Sequence, residues 1–449
     1  MKPRTKTLIN DDKRFVWHPF TQMKDWLVSD NVVIERGKGN WLIDTEGHKY
    51  LDGVSSLWTN LHGHRKKEID EAIKAQLDKI SHSTLLGLAN VPSIALAKKL
   101  VQIAPKGLGR VFYSDDGSTA VEVGLKMSLQ YWQLSGAKDK RLFMAFTGAY
   151  HGDTLGGMSV GEIDVFVARY RPLLFKTIRS PYPYCYRCPI KKRWPECKLA
   201  CLDVFERLLV RHHKKTAACI IEPGFEGASG MIAAPFGFLK GVRRLTKKYN
   251  VLLIADEVAT GFGRTGRMFA CDHEDVTPDM LCLAKGLTGG YLPLAATLTT
   301  DNVFNAFLGE RCNALFHGHT YTGNPLGAAA ALANLRIFEK EDTLKAIKPK
   351  IALLKELLEE SRALPHAGDV RQTGLVAAIE LVEDRRTKKA YPADMRLGQR
   401  VSMEALRLGL FIRPLGDVIV VMPPLSIKTN ELKWMLRVIN ECIRKVTET

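Results

Sequence analysis

The sequence contains no apolar run approaching the ~18 residues that a bilayer-spanning helix needs. Its first ten residues, Met1 to Asn10, carry basic side chains but no apolar stretch of roughly 7–15 residues behind them, so no secretory leader is expected. There is no internal repeat, no low-complexity linker and no block of like charge long enough to form a tail. Acidic residues are in short supply: 48 Asp+Glu against 65 Lys+Arg leave +17 over 449 residues. Such an excess fits nucleic acid, an anionic membrane, anionic small molecules or a solvated basic surface. The basic stretches Arg211–Lys215 and Arg243–Lys248 fall on helical patterns without interleaved aromatics, so neither a nucleic-acid nor a membrane partner is expected. The expectation is a cytoplasmic protein whose nine cysteines are thiols, metal ligands or core residues, not a disulfide framework.

What is present is ordinary globular composition, 46% hydrophobic and 25% charged, in a chain long enough for two or three structural units. Short apolar runs alternate with longer amphipathic stretches, which predicts an α/β fold around a largely parallel sheet. Five runs end in polar or glycine-rich clusters. Arg110–Tyr113 leads into Ser114-Asp-Asp-Gly-Ser118, and Leu142–Phe146 into Thr147-Gly-Ala-Tyr-His-Gly152. Ala217–Ile221 ends at Glu222-Pro223, Val251–Ala255 at Asp256-Glu257, and Met280–Ala284 at Lys285-Gly286. Ligands of open α/β sheets sit outside the carboxyl ends of the strands, so the five endings describe one pocket. Short strands are expected at Val32–Glu35, at Trp41–Asp44 before a Thr45–Gly47 turn, at Val376–Leu381 and at Val418–Val421, with a helix over Ala346–Ser361. The expected division is a large domain over 76–335 and a smaller α+β domain built from 1–75 and 336–449.

Asp256 and Lys285 carry the chemistry. Each closes an apolar strand-like run, with a helix-length segment and a glycine-rich loop between them. An ammonium at a buried strand end is costly to desolvate, and lysines so placed have lowered pKa values and react with carbonyl compounds. If the carbonyl belongs to pyridoxal phosphate, the ring nitrogen needs an acidic partner, for which Asp256 is the candidate. A phosphate needs backbone donors at a helix N-terminus. Gly117-Ser118 precedes the helical pattern Thr119–Trp132, with Thr119 and Glu122 spaced as a capping box. Tyr150 is the candidate aromatic face for a flat ring.

The segments Asp256-Glu-Val-Ala-Thr-Gly-Phe-Gly-Arg-Thr-Gly266, Lys285-Gly286 and His317-Gly-His-Thr-Tyr-Thr-Gly-Asn-Pro325 resemble the class III pyridoxal-phosphate aminotransferases of fold type I. His18–Met23, Ser55–Trp58, His62-Gly63, Gly148–Asp153, Ile412–Gly416 and Met422–Pro424 resemble the branch of that family serving biotin biosynthesis. The resemblance, over about residues 15–445, implies a homodimer with shared sites and small-molecule substrates. It implies amino transfer to 8-amino-7-oxononanoate, with S-adenosylmethionine or lysine as donor. Carried over by position, it gives Lys285 the covalent link to the cofactor and the proton transfer, and pairs Asp256 with the pyridinium nitrogen. Tyr150 would stack on the ring, Gly117 and Ser118 would bind phosphate with Thr320 of the partner chain, and Glu222 and His319 would lie close to the cofactor. Trp58 and Gly318 would line the substrate channel, and Arg413 would pair with the substrate carboxylate.

Three positions depart from the family pattern. Phe20 stands where a tyrosine is common, Leu57-Trp58 where an aromatic pair is, and Glu226 where glutamine is frequent. The first two fall where donor and acceptor would bind and leave the donor open. Cys185-x2-Cys188-x8-Cys197-x3-Cys201 has metal-ligand spacing in a turn-rich basic loop, which reads either as a structural metal site or as a surface loop of reduced cysteines. The alternatives to the biotin reading are a class III aminotransferase for an ω-amino acid or diamine, and a metal-binding interaction protein on a degenerate scaffold. The intact Lys285 and Asp256 speak against degeneracy.

Overall fold

The computed structural model describes residues 1–448. Its centre is a seven-stranded sheet, ordered in space Leu108–Ser114, Ala295–Thr300, Met280–Leu283, Leu252–Asp256, Thr216–Ile221, Leu142–Phe146 and Thr177–Ser180. Six strands run the same way, and Ala295–Thr300 alone is antiparallel to both neighbours. All five expected runs are in this sheet and point their carboxyl ends in one direction. The architecture is therefore mixed α/β around a mostly parallel sheet, as expected.

The central strands are buried from end to end, as parallel strands covered on both faces must be. Alternate residues face opposite layers. Ala218, Ile220, Ile254 and Cys282 pack with the helix Gly117–Leu134, whereas Cys219, Ile221, Leu253 and Leu283 join Phe205, Leu209, Phe238, Val242 and Leu245 of the helices Cys201–His212 and Phe238–Lys248. Each buried Leu, Ile or Phe contributes about 1.5–3 kcal/mol by leaving water, so this two-sided burial fixes the strand register that sets the site.

Both chain ends build the flanking sheets. Ile34–Lys38, Trp41–Asp44 and Lys49–Asp52 form an antiparallel meander, joined in parallel by Leu410–Phe411. Ala367–Thr373, Val376–Leu381 and Val418–Val421 form a separate three-stranded sheet. Three expected strands, Trp41–Asp44, Val376–Leu381 and Val418–Val421, match these bounds, and the first begins at Ile34, two residues later than expected. The expected helix over Ala346–Ser361 divides into Thr343–Ala346 and Lys348–Arg362.

The connection from Asp256 to Met280 corrects the expectation of a helix-length segment: it holds loops and the 3-10 turn Ala270–His273, punctuated by Gly261, Gly263 and Gly266. Among the described residues no helix is long and apolar enough to cross a membrane.

Candidate active site

Strand register brings the acidic residues together. Ala255 pairs with Ile221 and Asp256 with Cys282, so Glu222 and Asp256 leave adjacent strands at one level and Lys285 follows three residues beyond Cys282. A cavity of about 650 Å³ opens there, lined by Trp58, Gly117, Ser118, Tyr150, Glu222, Asp256 and Lys285.

On one side the helix Gly117–Leu134 begins. Asp116 caps it, its Oδ1 accepting from the Thr119 amide at 2.9 Å while Thr119 Oγ1 accepts from the Asp116 amide at 3.0 Å. The capping box thus sits one turn earlier than expected. Glu122 instead accepts from the Gly156 and Gly157 amides, at 2.6 and 3.3 Å. The amides of Gly117 and Ser118 have no partner among the described residues, which is what a helix N-terminus offers an anion. Thr154 donates its amide to Ser118 Oγ at 3.1 Å and lies 2.7 Å from it through Oγ1. The backbone here is close-set: a Cβ on Gly117 would lie 2.6 Å from Val258 Cγ1, and one on Gly152, at φ +104°, 2.3 Å from Ser118 Oγ. Gly152→Ala is therefore expected to displace Ser118 and weaken cofactor binding by about tenfold or more, the scale of an overpacked site. Spectral titration of cofactor-free protein checks this, and unchanged affinity would refute the cradle.

On the other side, His151 Nδ1 lies 2.7 Å from Asp256 Oδ2, and the Val258 amide donates to Asp256 Oδ1 at 3.1 Å. The His151 ring is fully buried and its Nε2 has no partner. Lys285 has φ +35° and places Nζ 4.8 Å from the Trp58 ring centroid. Burial lowers the Lys285 pKa, with Asp256 and Glu222 opposing and Arg264 assisting.

Glu222 holds the loops, its Oε1 accepting from the Tyr150 amide at 3.1 Å and its Oε2 from the Gly227 amide at 2.9 Å. Burial pushes its pKa up to about 7, with His151 opposing and Asp256 adding. Glu226, 1% exposed, leaves Oε1 without a partner and takes only a long 3.4 Å bond from Ser229 Oγ; burial, then Glu222, raises its pKa well above the ordinary carboxylate value. A carboxyl group raised in the folded state binds more protons there than when unfolded, so its contribution is fully present below the ordinary value of 4.5 and is lost as pH rises towards the folded value. Glu226→Gln removes this loss. The variant's advantage in Tm over wild type is expected to grow by about 2 °C or more from pH 5 to pH 8 in thermal melts; an equal difference at both pH values would refute it.

Other candidates lie apart from the cavity wall. Gly318 and Thr320 are exposed, and His319 Nδ1 stands 3.1 Å from Oδ2 of Asp115 at the cavity rim. Arg413 is half-buried, makes no hydrogen bond or ion pair among the described residues, and has its Cζ 5.7 Å from the centre of the Phe20 ring. Phe20 contacts Phe166 at 5.3 Å and Phe166 contacts Tyr150 at 5.5 Å, an aromatic link from the arginine to the cavity. Phe166 is missed by the sequence reading, and nothing in its surroundings there marks it. His151 adjoins Tyr150 in sequence but had no assigned role.

Cys185, Cys188, Cys197 and Cys201 are free thiols around a narrow pocket of about 20 Å³, and among the described residues no three His, Cys, Asp or Glu side chains gather as ligands of one metal. Burial pushes the Cys185 and Cys201 thiols up to about 11.

A lysine and an acidic residue closing neighbouring strands, beside a glycine-built helix N-terminus, define an aminotransferase site on this fold. The chain belongs to the class III aminotransferases: the family described as Aminotransferase class-III matches residues 25–443. These enzymes depend on pyridoxal phosphate. Among named relatives, the adenosylmethionine-8-amino-7-oxononanoate aminotransferase of Geobacter sulfurreducens is 54% identical over 99% of this chain and 98% of its own. The crystal structure of the enzyme so named from Methanocaldococcus jannaschii has a TM-score of 0.94 at 50% identity, covering 98% of this chain and 99% of that one. An amine transaminase from an uncultivated Pseudomonas species, solved with its cofactor, has a TM-score of 0.90 at 36% identity, covering 96% and 99%. The residues present fit pyridoxal phosphate: unpartnered Gly117 and Ser118 amides, a cradle that a Cβ at Gly117 or Gly152 would fill, and a buried carboxylate backed by His151.

Proposed function

We propose that this enzyme transfers an amino group to the keto carbon of 8-amino-7-oxononanoate, forming 7,8-diaminononanoate in biotin synthesis, with S-adenosylmethionine or lysine as donor. The amino-transfer chemistry rests on one observation, Lys285 and Asp256 meeting at one cavity from neighbouring strands. The substrate rests on the relatives that carry its name.

When bound, pyridoxal phosphate supplies a carbonyl that takes an amine and a ring that draws electrons from it. Gly117 and Ser118 would hold the phosphate, Tyr150 would cover the ring and Asp256 would pair with the ring nitrogen, its carboxylate fixed by His151. Lys285, its ammonium destabilised by burial, would move the proton from the substrate carbon that bears the nitrogen to the cofactor carbon joined to that nitrogen, and in the opposite direction in the second half-reaction. Arg413, which beside its Phe20 contact has no hydrogen bond or ion pair among the described residues, binds the substrate carboxylate through its guanidinium fork. Trp58 walls the channel.

The working unit proposed is a cytoplasmic homodimer, in which Thr320, His319 and Gly318 serve the partner's cavity. Supporting this, Gly318 and Thr320 are exposed on their own chain, and nearby Phe316, Tyr321, Leu86 and Val91 expose large apolar surface. Sedimentation of the holoenzyme tests it, and a monomer with full activity would overturn it.

The substrate is tested by half-reactions. Cofactor-loaded protein is mixed with S-adenosylmethionine, lysine or simple ω-amines while the visible band is followed, and 8-amino-7-oxononanoate is then added. One of the first two is expected to discharge the band and the keto acid to restore it. Response to ω-amines alone, without restoration, would replace this reading by the diamine or ω-amino-acid alternative.

A further inference from the structure

Ser55, Ser56, Leu57 and Trp58 have φ of +53°, +47°, +72° and +71°, four consecutive left-handed residues without a glycine among them. The turn closes on itself, with the Trp58 amide donating to Val54 O at 2.7 Å and the Thr59 amide to Ser55 O at 3.0 Å. L-residues disfavour this backbone because Cβ crowds the following carbonyl, so something must hold it. Its beginning is held by Asp52, which accepts from the Ser56 amide and hydroxyl, both at 2.7 Å, and by Ser55 Oγ donating to Met422 O at 2.7 Å.

Its end is held by one side chain. Arg264, 1% exposed, donates from Nη2 to the carbonyls of Asn60 at 2.8 Å and Trp58 at 3.4 Å, and from Nη1 to Pro423 O at 2.7 Å. Among the described residues no carboxylate lies within ion-pairing distance of this guanidinium, and Nε has no partner. A buried, unpaired cation is costly, and an apolar side chain would fill the same space at lower cost. What an apolar side chain lacks is a rigid fork of donors able to bridge three carbonyls. Two of those carbonyls belong to the stretch that carries Trp58, whose ring covers Lys285 Nζ at 4.8 Å. Arg264 itself belongs to the loop that leaves Asp256.

We propose that Arg264 is a positioning residue that holds Trp58 across Lys285 by fixing the end of the left-handed turn, without touching substrate. The inference rests on the transamination proposed above and deepens it: the arginine of the glycine-rich loop sets the channel wall.

A double-mutant cycle on the holoenzyme tests this, using Arg264→Gln, Trp58→Ala and the pair. Arg264→Gln is expected to lower kcat/KM for the keto acid by about 30-fold, mostly through KM, and by less than about threefold once Trp58 is already alanine. Arg264→Lys, which retains donors for fewer carbonyls, is expected to recover part of the loss. The second readout needs no turnover: the pH at which the visible band changes should move equally in Arg264→Gln and Trp58→Ala and no further in the pair. Additive losses, or an unmoved band pH with only a lower Tm, would overturn the proposal in favour of a purely structural arginine. If the glutamine variant does not accumulate as holoenzyme, Arg264→Lys carries the same cycle with the same criteria. Wild-type failure to use the keto acid would sink the substrate reading alone, because the band readout still judges Arg264.

Discussion

Replacing Lys285 by alanine is expected to lower turnover by about 10⁴-fold or more, the upper range for loss of a positioned proton-transfer group. The variant should still take up cofactor, because the Gly117 and Ser118 amides, the Asp256 carboxylate and Tyr150 lie on other elements and do not depend on the lysine. Borohydride should then link cofactor covalently to Lys285 in wild type, read by peptide mass spectrometry, and to nothing in the variant. Lys285→Arg should be equally inactive. Its guanidinium stays protonated where burial lowers the Lys285 pKa, so it cannot take up a proton. Turnover within tenfold of wild type in either variant would remove the role assigned to Lys285. Loss of cofactor uptake alone would leave the role untested, so bound cofactor is measured in the same samples and turnover is expressed per loaded site.

The sequence makes the floor of the site legible because a parallel strand buried on both faces is written as a short apolar run, and its end as the first polar residue. That rule places Glu222, Asp256 and Lys285 around one cavity from the sequence alone. It fails where side-chain type and backbone state part company. Ser55–Trp58 contains no glycine, so nothing in its composition announces a left-handed turn; the neighbouring Asp52 holds it together with Met422 and Arg264 from distant parts of the chain. The helix Pro3–Phe15 is equally silent, since only Thr5 and Ile9 are buried and no apolar stripe marks it. The strand Ala295–Thr300 mixes threonine with alanine because Thr297 Oγ1 bonds to Ala120 O inside the core, which blurs an apolar run. The four cysteines show how much spacing leaves open. They do come together around one narrow pocket, but Cys201 begins a core helix and Cys185 stays at the surface, and among the described residues no three ligand side chains gather for one metal.

Asp256→Asn is the second large effect expected, about 10²–10³-fold in kcat, the range measured when one preorganised electrostatic partner is removed from a reacting centre. Asparagine matches the shape, so its carbonyl oxygen can keep the 3.1 Å bond from the Val258 amide. What it lacks is charge. His151 Nδ1, 2.7 Å from Asp256 Oδ2, would then face an amide group, and the ring nitrogen would lose the partner that keeps it protonated. Because strand register and burial are unchanged, the folded state and cofactor content should stay near wild type while the visible band shifts and both half-reactions slow together. Asp256→Glu separates charge from geometry: it restores the charge but pushes the carboxylate one methylene further into a site lined by Tyr150 and Lys285, so partial recovery is expected. His151→Asn should give a smaller loss in the same direction, since it frees the carboxylate without discharging it. Full activity in Asp256→Asn, with cofactor bound, would mean that the ring nitrogen needs no anionic partner here, and the electronic half of the proposed mechanism would fall while Lys285 kept its own role.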